Sequence, residues 1–430
     1  MPTVAIETHG CKLNQADSQA LARQFRQAGY RVVDSHQVAD IYVLDTCTVT
    51  HVADRKARRA LSAARRRNPG SLIVATGCYA HRAPADLAAL GGVDLVLGNG
   101  DKARLVQEVV SLRKDTLKAW SAGEVAMGEE GNGGKGFHLA RATVKVQEGC
   151  NQVCAYCIVP KVRGRERSVP AFELVGQILA LEEEGFQEVV LTGTQMGAYG
   201  AGTPDASLER LLELILRRTA IPRIRVSSLQ PQEMNDGLLR LWKDPRLCPH
   251  FHMPLQSGSD AVLRHMRRRY TAEMFARAVE LLRARVPGAS ITTDVLAGFP
   301  GEGEEEFQET YRFCNQVRFS DMHVFPYSVR PETSAADFKE EVDAPTRGRR
   351  VEMLLSLAQE HARGFRRSLL GQVRPVLWEH RVREDGRWLW SGLTDSYVRV
   401  LADDPRPLGN TITNTRQVGE GGGSLYGLVL

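Results

Sequence analysis

The sequence predicts an α/β protein in three parts: an N-terminal parallel α/β domain, a central open barrel of six βα units, and a small all-β C-terminal barrel. Three observations carry this. Short apolar runs alternate with helical periodicity through the first 110 residues and again from Ala142. A Gly-rich, poorly periodic stretch, "GEVAMGEEGNGGKG", separates the two series. After about Arg367 the texture turns to short β-branched and aromatic runs divided by Gly, Asp and Pro. The boundaries read from these changes are 1–122, a linker 123–138, 139–366 and 367–430.

At 430 residues the chain is longer than one ordinary domain. Its 43% hydrophobic and 25% charged residues describe a normal globular protein. No apolar run approaches the roughly 20 residues a bilayer span requires. "MPTVAIETHG" lacks the basic stretch and apolar core of a signal peptide. The expected location is cytoplasmic, where disulfides rarely persist, so clustered cysteines point to metal or redox chemistry.

In the first part, "TVAIET", "IYVLDT", "LIVATG" and "VDLVLG" read as buried strands. Helical patterns cover Asn14 to Ala28, Val52 to Arg67 and Lys102 to Val110. In the second, strands are expected at Thr143 to Gln147, Glu188 to Thr192, Arg223 to Ser227, His250 to Met253, Ile291 to Val295 and Met322 to Phe325. Six βα units in roughly 200 residues fit a partial barrel better than a closed one of eight, which takes about 250. In the third, "VRPVLWEH", "RWLWSGL", "SYVRVLA", "NTITNTRQV" and "LYGLVL" read as the strands of a small barrel.

The net charge is only +5, but basic residues cluster. "DRKARRALSAARRR" holds seven Lys/Arg against one acid, and "RHMRRRY", "TRGRR" and "HARGFRR" follow. Any one cluster reads equally as a solvated helix face; several on a near-neutral chain favour a polyanion such as RNA.

Three of the eight cysteines, Cys150, Cys154 and Cys157, lie in one loop with spacing C-x3-C-x2-C. Zinc sites pair C-x2-4-C with a second pair, and no fourth ligand is near. Three thiolates on a four-iron cluster leave one iron open. The loop follows the first barrel strand, at the end where such barrels place their active sites. With Tyr156 before the last cysteine, the motif resembles the radical S-adenosylmethionine (SAM) superfamily. There the open iron chelates SAM, and one electron cleaves it to a 5′-deoxyadenosyl radical. The resemblance makes the central part a radical SAM barrel. It also implies that "GTQ", "SSLQP", "PLQSGS" and "DVLAGFPGE", each past a strand end, lie around SAM. Candidate contacts are Gly193, Thr194, Gln195, Ser227, Gln256 and Tyr156.

Cys11, Cys47 and Cys78 are distant in sequence, yet each follows a predicted strand, where side chains of a parallel sheet can converge. Alternatively they are ordinary buried cysteines. "HGCKLNQADSQ", "DTCTVTHVADRK" and "TGCYAHR" resemble the N-terminal domain of the methylthiotransferases, and the resemblance spans essentially the whole chain, ending in a TRAM-type barrel. It implies that these three cysteines hold an auxiliary cluster that handles the inserted sulfur. The cofactors implied are two 4Fe–4S clusters and S-adenosyl-L-methionine, which serves as methyl donor and radical source. Cys248 and Cys314 match no ligand position and read as structural.

Within the family, "TCTVTHVADRKAR" and "QEGCNQVCAYCIVPKVRGRERS" are most similar to the branch acting on N6-threonylcarbamoyladenosine in tRNA. The alternatives are isopentenyladenosine in tRNA and an aspartate of a ribosomal protein. His9, and a Gly-rich insertion "GEGGG" near the C-terminus, depart from the pattern. The implied reaction adds a methylthio group at C2 of the adenine beside the anticodon. That C–H is unactivated, so cofactor radical chemistry is required and the protein supplies positioning. Expected partners are the tRNA anticodon loop, an electron donor such as flavodoxin or ferredoxin, and a sulfur source. Arg163, Arg165 and Arg167 are candidates for the charged threonylcarbamoyl group. Arg374 and Arg399, with Arg381, Arg383, Trp388, Trp390 and Tyr397, are candidates for RNA.

Overall fold

The computed structural model describes residues 1–120 and 140–430. The expected linker, 123–138, lies outside the described residues. Contacts divide the chain into two compact units. One holds the residues up to 120 together with Ile158–Gly164; the other holds the rest.

The N-terminal unit is built on a five-stranded parallel sheet of β1 (Thr3–Thr8), β2 (Arg31–Val33), β3 (Ile41–Thr46), β4 (Leu72–Gly77) and β5 (Leu95–Leu97), in the order β2-β1-β3-β4-β5. Its strands are continuous apolar runs because helices cover both faces. Leu21, Phe25, Val43, Val74 and Leu105 fill one side, and Leu44, Ala57, Leu61, Ile73 and Tyr79 the other. The helix His51–Arg67 begins where the Thr50 hydroxyl accepts from the Ala53 N–H.

The second unit carries six parallel strands in chain order: β6 (Arg141–Lys145), β9 (Glu188–Thr192), β10 (Arg223–Val226), β11 (His250–His252), β12 (Ser290–Ala297) and β13 (Asp321–Pro326). Two short strands, β7 (Gln147–Glu148) and β8 (Arg167–Ser168), pair beside them. The six form two three-stranded sheets, β6-β9-β10 and β11-β12-β13, joined by a parallel bridge between Ile224 and Leu247. This is the open six-unit barrel. One strand face, with Val144, Leu191, Ile224, Phe251, Ile291 and Val295, packs under helices such as Ala171–Glu183 and Ala272–Arg285. By strand alternation the other residues line the lumen.

The C-terminal residues form a closed barrel of β14 (Val373–Glu384), β15 (Arg387–Thr394), β16 (Arg399–Ala402), β17 (Ile412–Gly421) and β18 (Ser424–Val429) around Val376, Trp378, Val400 and Leu425. Closure leaves no sheet edge exposed. The "GEGGG" segment is a tight hairpin. Gly421 pairs with Ser424, and Gly422 and Gly423 both take positive φ, which a two-residue turn of this type requires.

This small barrel seals the floor of the lumen. Arg225, fully buried, grips both oxygens of Glu188 at 2.8 and 3.2 Å and donates to the Asp395 carbonyl at 3.0 Å. Arg223 donates to the Leu393 carbonyl, and Arg141 pairs with Glu379 at 2.8 Å. The Tyr397 ring stacks on His250 at 4.8 Å and lies under Arg225. The guanidinium of Arg225 holds the Glu188 carboxyl down at about 2, although burial alone pushes it up.

Candidate active site

In the N-terminal unit, Cys11, Cys47 and Cys78 follow β1, β3 and β4, three adjacent strands at the centre of the sheet. Two glycines bring them close. A Cβ on Gly10, at positive φ, would come within 2.8 Å of the Cys47 Cβ and 3.1 Å of its sulfur. One on Gly77, also at positive φ, would collide with Asp45 and the Thr46 backbone. Thr46 accepts from the N–H groups of Tyr79 and Ala80, fixing the short helix that starts at Cys78 to the end of β3. Burial pushes the Cys47 thiol up to about 12, and the neighbouring Cys78 and Cys11 push the same way.

Beneath the cysteines lies a buried charge network. Lys102 donates to Asp17 at 2.7 Å and to Asp45 at 2.9 and 3.0 Å. Asn14, one turn after Cys11, donates to Asp45 and accepts from Arg163 at 2.8 Å. Asn99 Nδ2 reaches the Cys78 sulfur at 3.5 Å and the Val162 carbonyl at 2.8 Å. Arg163 is only 4% exposed and also lies 3.4 Å from Asp17. Its expected place beside substrate therefore changes: the guanidinium belongs to the network around Asn14, and Ile158 and Val162 pack on Cys78. Arg165 and Arg167 are exposed, with Arg167 3.8 Å from Glu148. Three convergent thiols with cations and an amide N–H directed at them suit a cluster of thiolate-bound iron, which carries net negative charge.

In the second unit, Cys150, Cys154 and Cys157 sit past β6 and β7 on a loop held by the backbone. Ala155 donates to the Met266 carbonyl, Ala335 donates to the Ala155 carbonyl, and the Cys157 N–H donates to the Cys154 carbonyl. The Gln152 N–H reaches the Cys150 sulfur at 3.3 Å, and Arg268 Nη1 reaches the Cys154 sulfur at 3.6 Å. Such N–H···S contacts stabilise thiolate ligands. Tyr156 lies edge-on to Phe299 in a small apolar cluster with Val262, Met266 and Tyr327.

The other predicted SAM residues surround this loop. The Gln147 side chain accepts from the Gln195 N–H at 3.0 Å, and Gln195 Oε1 lies 3.4 Å from the Cys150 sulfur. A Cβ on Gly193 would press on Gln147 and Met196 at 3.1 Å. Ser227 is buried, 3.3 Å from the Thr192 hydroxyl. Gln256 holds positive φ, a costly conformation for glutamine, where the chain bridges to Val295. The Thr194 hydroxyl is buried without a hydrogen-bond partner. An orphaned polar atom in this loop fits a polar cofactor.

Sequence reasoning missed Glu233. It lines a cleft of about 580 Å³ together with Gln152, Gln195, Gly197 and Arg269. Its Oε2 accepts from the Gln230 N–H at 2.9 Å, and its Oε1 is buried. Burial pushes this carboxyl up to about 7, against the pull of the Gln230 and Gly197 N–H groups and the Gln195 side chain. Its side chain lies so close to Gly197 that a Cβ there would stand 2.0 Å from it. The only sequence signal was a glutamate three residues after Gln230, a capping-box spacing.

Two of the candidate RNA contacts are engaged elsewhere. Arg374 is paired with Asp395 at 2.8 Å, and Tyr397 is stacked on the barrel floor. Arg399 remains 43% exposed, with Ser391 at 2.5 Å and Glu379 at 3.7 Å. Arg383 and Trp388 are exposed on the β14–β15 hairpin, and Arg381 lies over the Trp390 ring at 4.9 Å. Cys248 and Cys314 are both buried, Cys314 within the core under the helices and Cys248 beside Arg225 and Glu188.

Comparison with known proteins agrees with this geometry. Residues 3–98 match the uncharacterized protein family UPF0004, and residues 144–314 match the radical SAM superfamily. The chain is 38% identical to the threonylcarbamoyladenosine tRNA methylthiotransferase MtaB of Bacillus subtilis, over 93% of this chain and 90% of that one. It is 40% identical to the protein of the same name from Aquifex aeolicus, over 95% and 98%. Against the tRNA-2-methylthio-N(6)-dimethylallyladenosine synthase of Methylacidiphilum infernorum the identity is 31%, over 100% and 95%. Among solved structures, the radical SAM methyltransferase TsrM from Kitasatospora setae, with cobalamin and a 4Fe–4S cluster bound, shares the fold. Its TM-score is 0.56 at 14% identity, covering 78% of this chain and 77% of that one. With two convergent cysteine triads, an open six-unit barrel and full-length likeness to these enzymes, the chain belongs to the tRNA methylthiotransferases of the radical SAM superfamily.

Proposed function

We propose that the protein adds a methylthio group to C2 of N6-threonylcarbamoyladenosine beside the anticodon of tRNA. The observation that carries the choice of nucleoside is likeness along nearly the whole chain, at 38% and 40% identity, to enzymes named for it, against 31%, 32% and 34% for dimethylallyladenosine enzymes. When bound, the two iron–sulfur clusters and SAM supply sulfur handling, methyl donation and one-electron radical generation.

The chain's own residues hold and orient. Cys150, Cys154 and Cys157 are the ligands of the radical cluster, and Cys11, Cys47 and Cys78 those of the auxiliary one. Thr194, Gln195, Ser227 and Gln256 position SAM, with Gly193 allowing its close approach and Tyr156 backing the cluster loop. SAM carries an ammonium and a sulfonium, while the loop after β9 offers only the neutral amide of Gln195. The carboxylate of Glu233, in the same cleft, supplies the missing negative charge. A cation drawn to it favours its ionised form, so SAM binding weakens as pH falls below about 7 and the carboxyl takes up its proton.

Arg165 and Arg167 are the exposed cations that meet the charged threonylcarbamoyl group. Arg381, Arg383, Trp388 and Arg399 are the RNA-facing residues of the small barrel, where phosphate contacts make binding fall steeply with salt. An electron donor of the flavodoxin or ferredoxin type and a sulfur source complete the reaction. A tRNA substrate places the enzyme with the cytoplasmic tRNA pool; among the described residues no helix is long and apolar enough to cross a membrane.

The test is mass spectrometry of tRNA nucleosides from cells lacking the gene. The methylthio form of threonylcarbamoyladenosine should vanish and its unmodified form accumulate. Loss of the methylthio form of isopentenyladenosine instead would overturn the assignment of the nucleoside but not of the family.

A further inference from the structure

The barrel lumen holds another group of metal-type ligands besides the cysteines. His252 ends β11, Asp294 lies within β12 and His323 within β13. Their neighbours Phe251, Met253, Ile291, Val295 and Met322 belong to the core under the helices. Alternation therefore turns His252, Thr292, Asp294 and His323 to the lumen side. Register completes the grouping, since His252 pairs with Thr292 and Asp294 with His323.

We propose that His252, Asp294 and His323 form a binding site for one divalent transition-metal cation of the Mn(II), Fe(II) or Zn(II) class. Two imidazoles and one carboxylate are the ligand set that binds such ions on one face and leaves the remaining positions open. His252 Nε2 lies 3.2 Å from Asp294 Oδ2, and His323 Nδ1 lies 3.2 Å from Oδ1. Charge-assisted hydrogen bonds run about 2.7–2.9 Å, so these contacts are long for simple ion pairs. They suit ligands of a shared ion, because bonds of about 2.0–2.2 Å put neighbouring ligand atoms roughly 3.0–3.5 Å apart. One ligand atom from each residue falls within 4.8 Å of the others, so small side-chain rotations close the set. Thr292 Oγ1, 3.1 Å from His252 Nδ1, turns the other ring nitrogen to the site, as the outer partners of metal-bound histidines do. Side-chain exposure rises from 13% at His252 through 26% at Asp294 to 58% at His323, which gives the ion an entry path.

The proposal is independent of the nucleoside assignment. It is tested by titrating the full-length, cluster-loaded protein with Mn(II) and following the EPR signal of free Mn(II). One ion per chain should bind with micromolar affinity and be displaced by Zn(II). Asp294→Asn and His323→Ala should each weaken binding at least tenfold, while circular dichroism and cluster absorbance stay unchanged. His323 is exposed at the sheet edge, so its replacement removes a ligand without opening the core and decides the matter if Asp294→Asn misfolds. Absence of stoichiometric Mn(II) and Zn(II) binding, or equal affinity in the His323→Ala protein, overturns the site.

Discussion

The two cysteine triads reach similar chemistry by opposite routes. Cys150, Cys154 and Cys157 lie within eight residues on one loop, whose position is fixed by backbone hydrogen bonds to Met266 and Ala335 and by Arg268. Cys11, Cys47 and Cys78 come from three strands and meet only because β1, β3 and β4 are neighbours. The first triad is a property of a peptide segment. The second is a property of a sheet, and it rests on a buried network of Asp17, Asp45, Lys102 and Arg163.

The most damaging change should be Cys150, Cys154 and Cys157 together to Ala. About half of the iron of the reconstituted protein should go, and all SAM cleavage with it, by iron analysis and detection of 5′-deoxyadenosine. The same change at Cys11, Cys47 and Cys78 should also remove about half of the iron and abolish methylthio transfer, yet leave SAM cleavage running. Equal loss of cleavage in a folded protein with its radical cluster intact would erase the division between the triads.

Lys102→Met tests whether the second triad depends on buried charge. It leaves Asp17 and Asp45 without their shared cation, and breaking a buried pair costs about 3–5 kcal/mol. Urea denaturation should show that loss and weaker retention of auxiliary iron, with the radical cluster's absorbance unchanged. An unaltered midpoint would mean that Arg163 alone sustains the network.

A smaller effect, of about tenfold in SAM affinity, is expected from Glu233→Gln, measured by equilibrium dialysis at pH 8. The same variant should be more stable without SAM. Glu233 titrates at about 7 in the fold and near 4.5 unfolded, so its ionised form is penalised by up to about 3 kcal/mol. The gain in melting temperature should be full above pH 7 and shrink to nothing by about pH 4. A variant that binds SAM normally at pH 8 would remove Glu233 from the cofactor site.

Much of this was legible before any coordinates. The strand Glu188–Thr192 lies where the apolar run placed it, and the other barrel strands differ by a few residues at their ends. Local patterns carry such elements, because strand alternation, βα order and the C-x3-C-x2-C spacing are written within short windows. Charge pairing is not. Arg163, in a basic run, and Arg374, in the small barrel, read as cations available to ligands, but Asn14 with Asp17 and Asp395 meet them across 149, 146 and 21 residues. Tyr397, one of several aromatics of the small barrel available to bases in the sequence, stacks on His250 at the barrel floor.

The sequence by itself determined the three-part architecture, the C-x3-C-x2-C loop and the chemistry that six of the eight cysteines, in such places, imply. Only the tertiary structure decided which polar groups remain available to ligands. A buried charge or amide must find its partner wherever the fold brings one, and that partner is seldom nearby in the chain. Glu233 shows the consequence: an unremarkable glutamate in sequence becomes a carboxyl held toward its neutral form by partial burial in a cleft beside Gln195, because the fold sets it against Gly197.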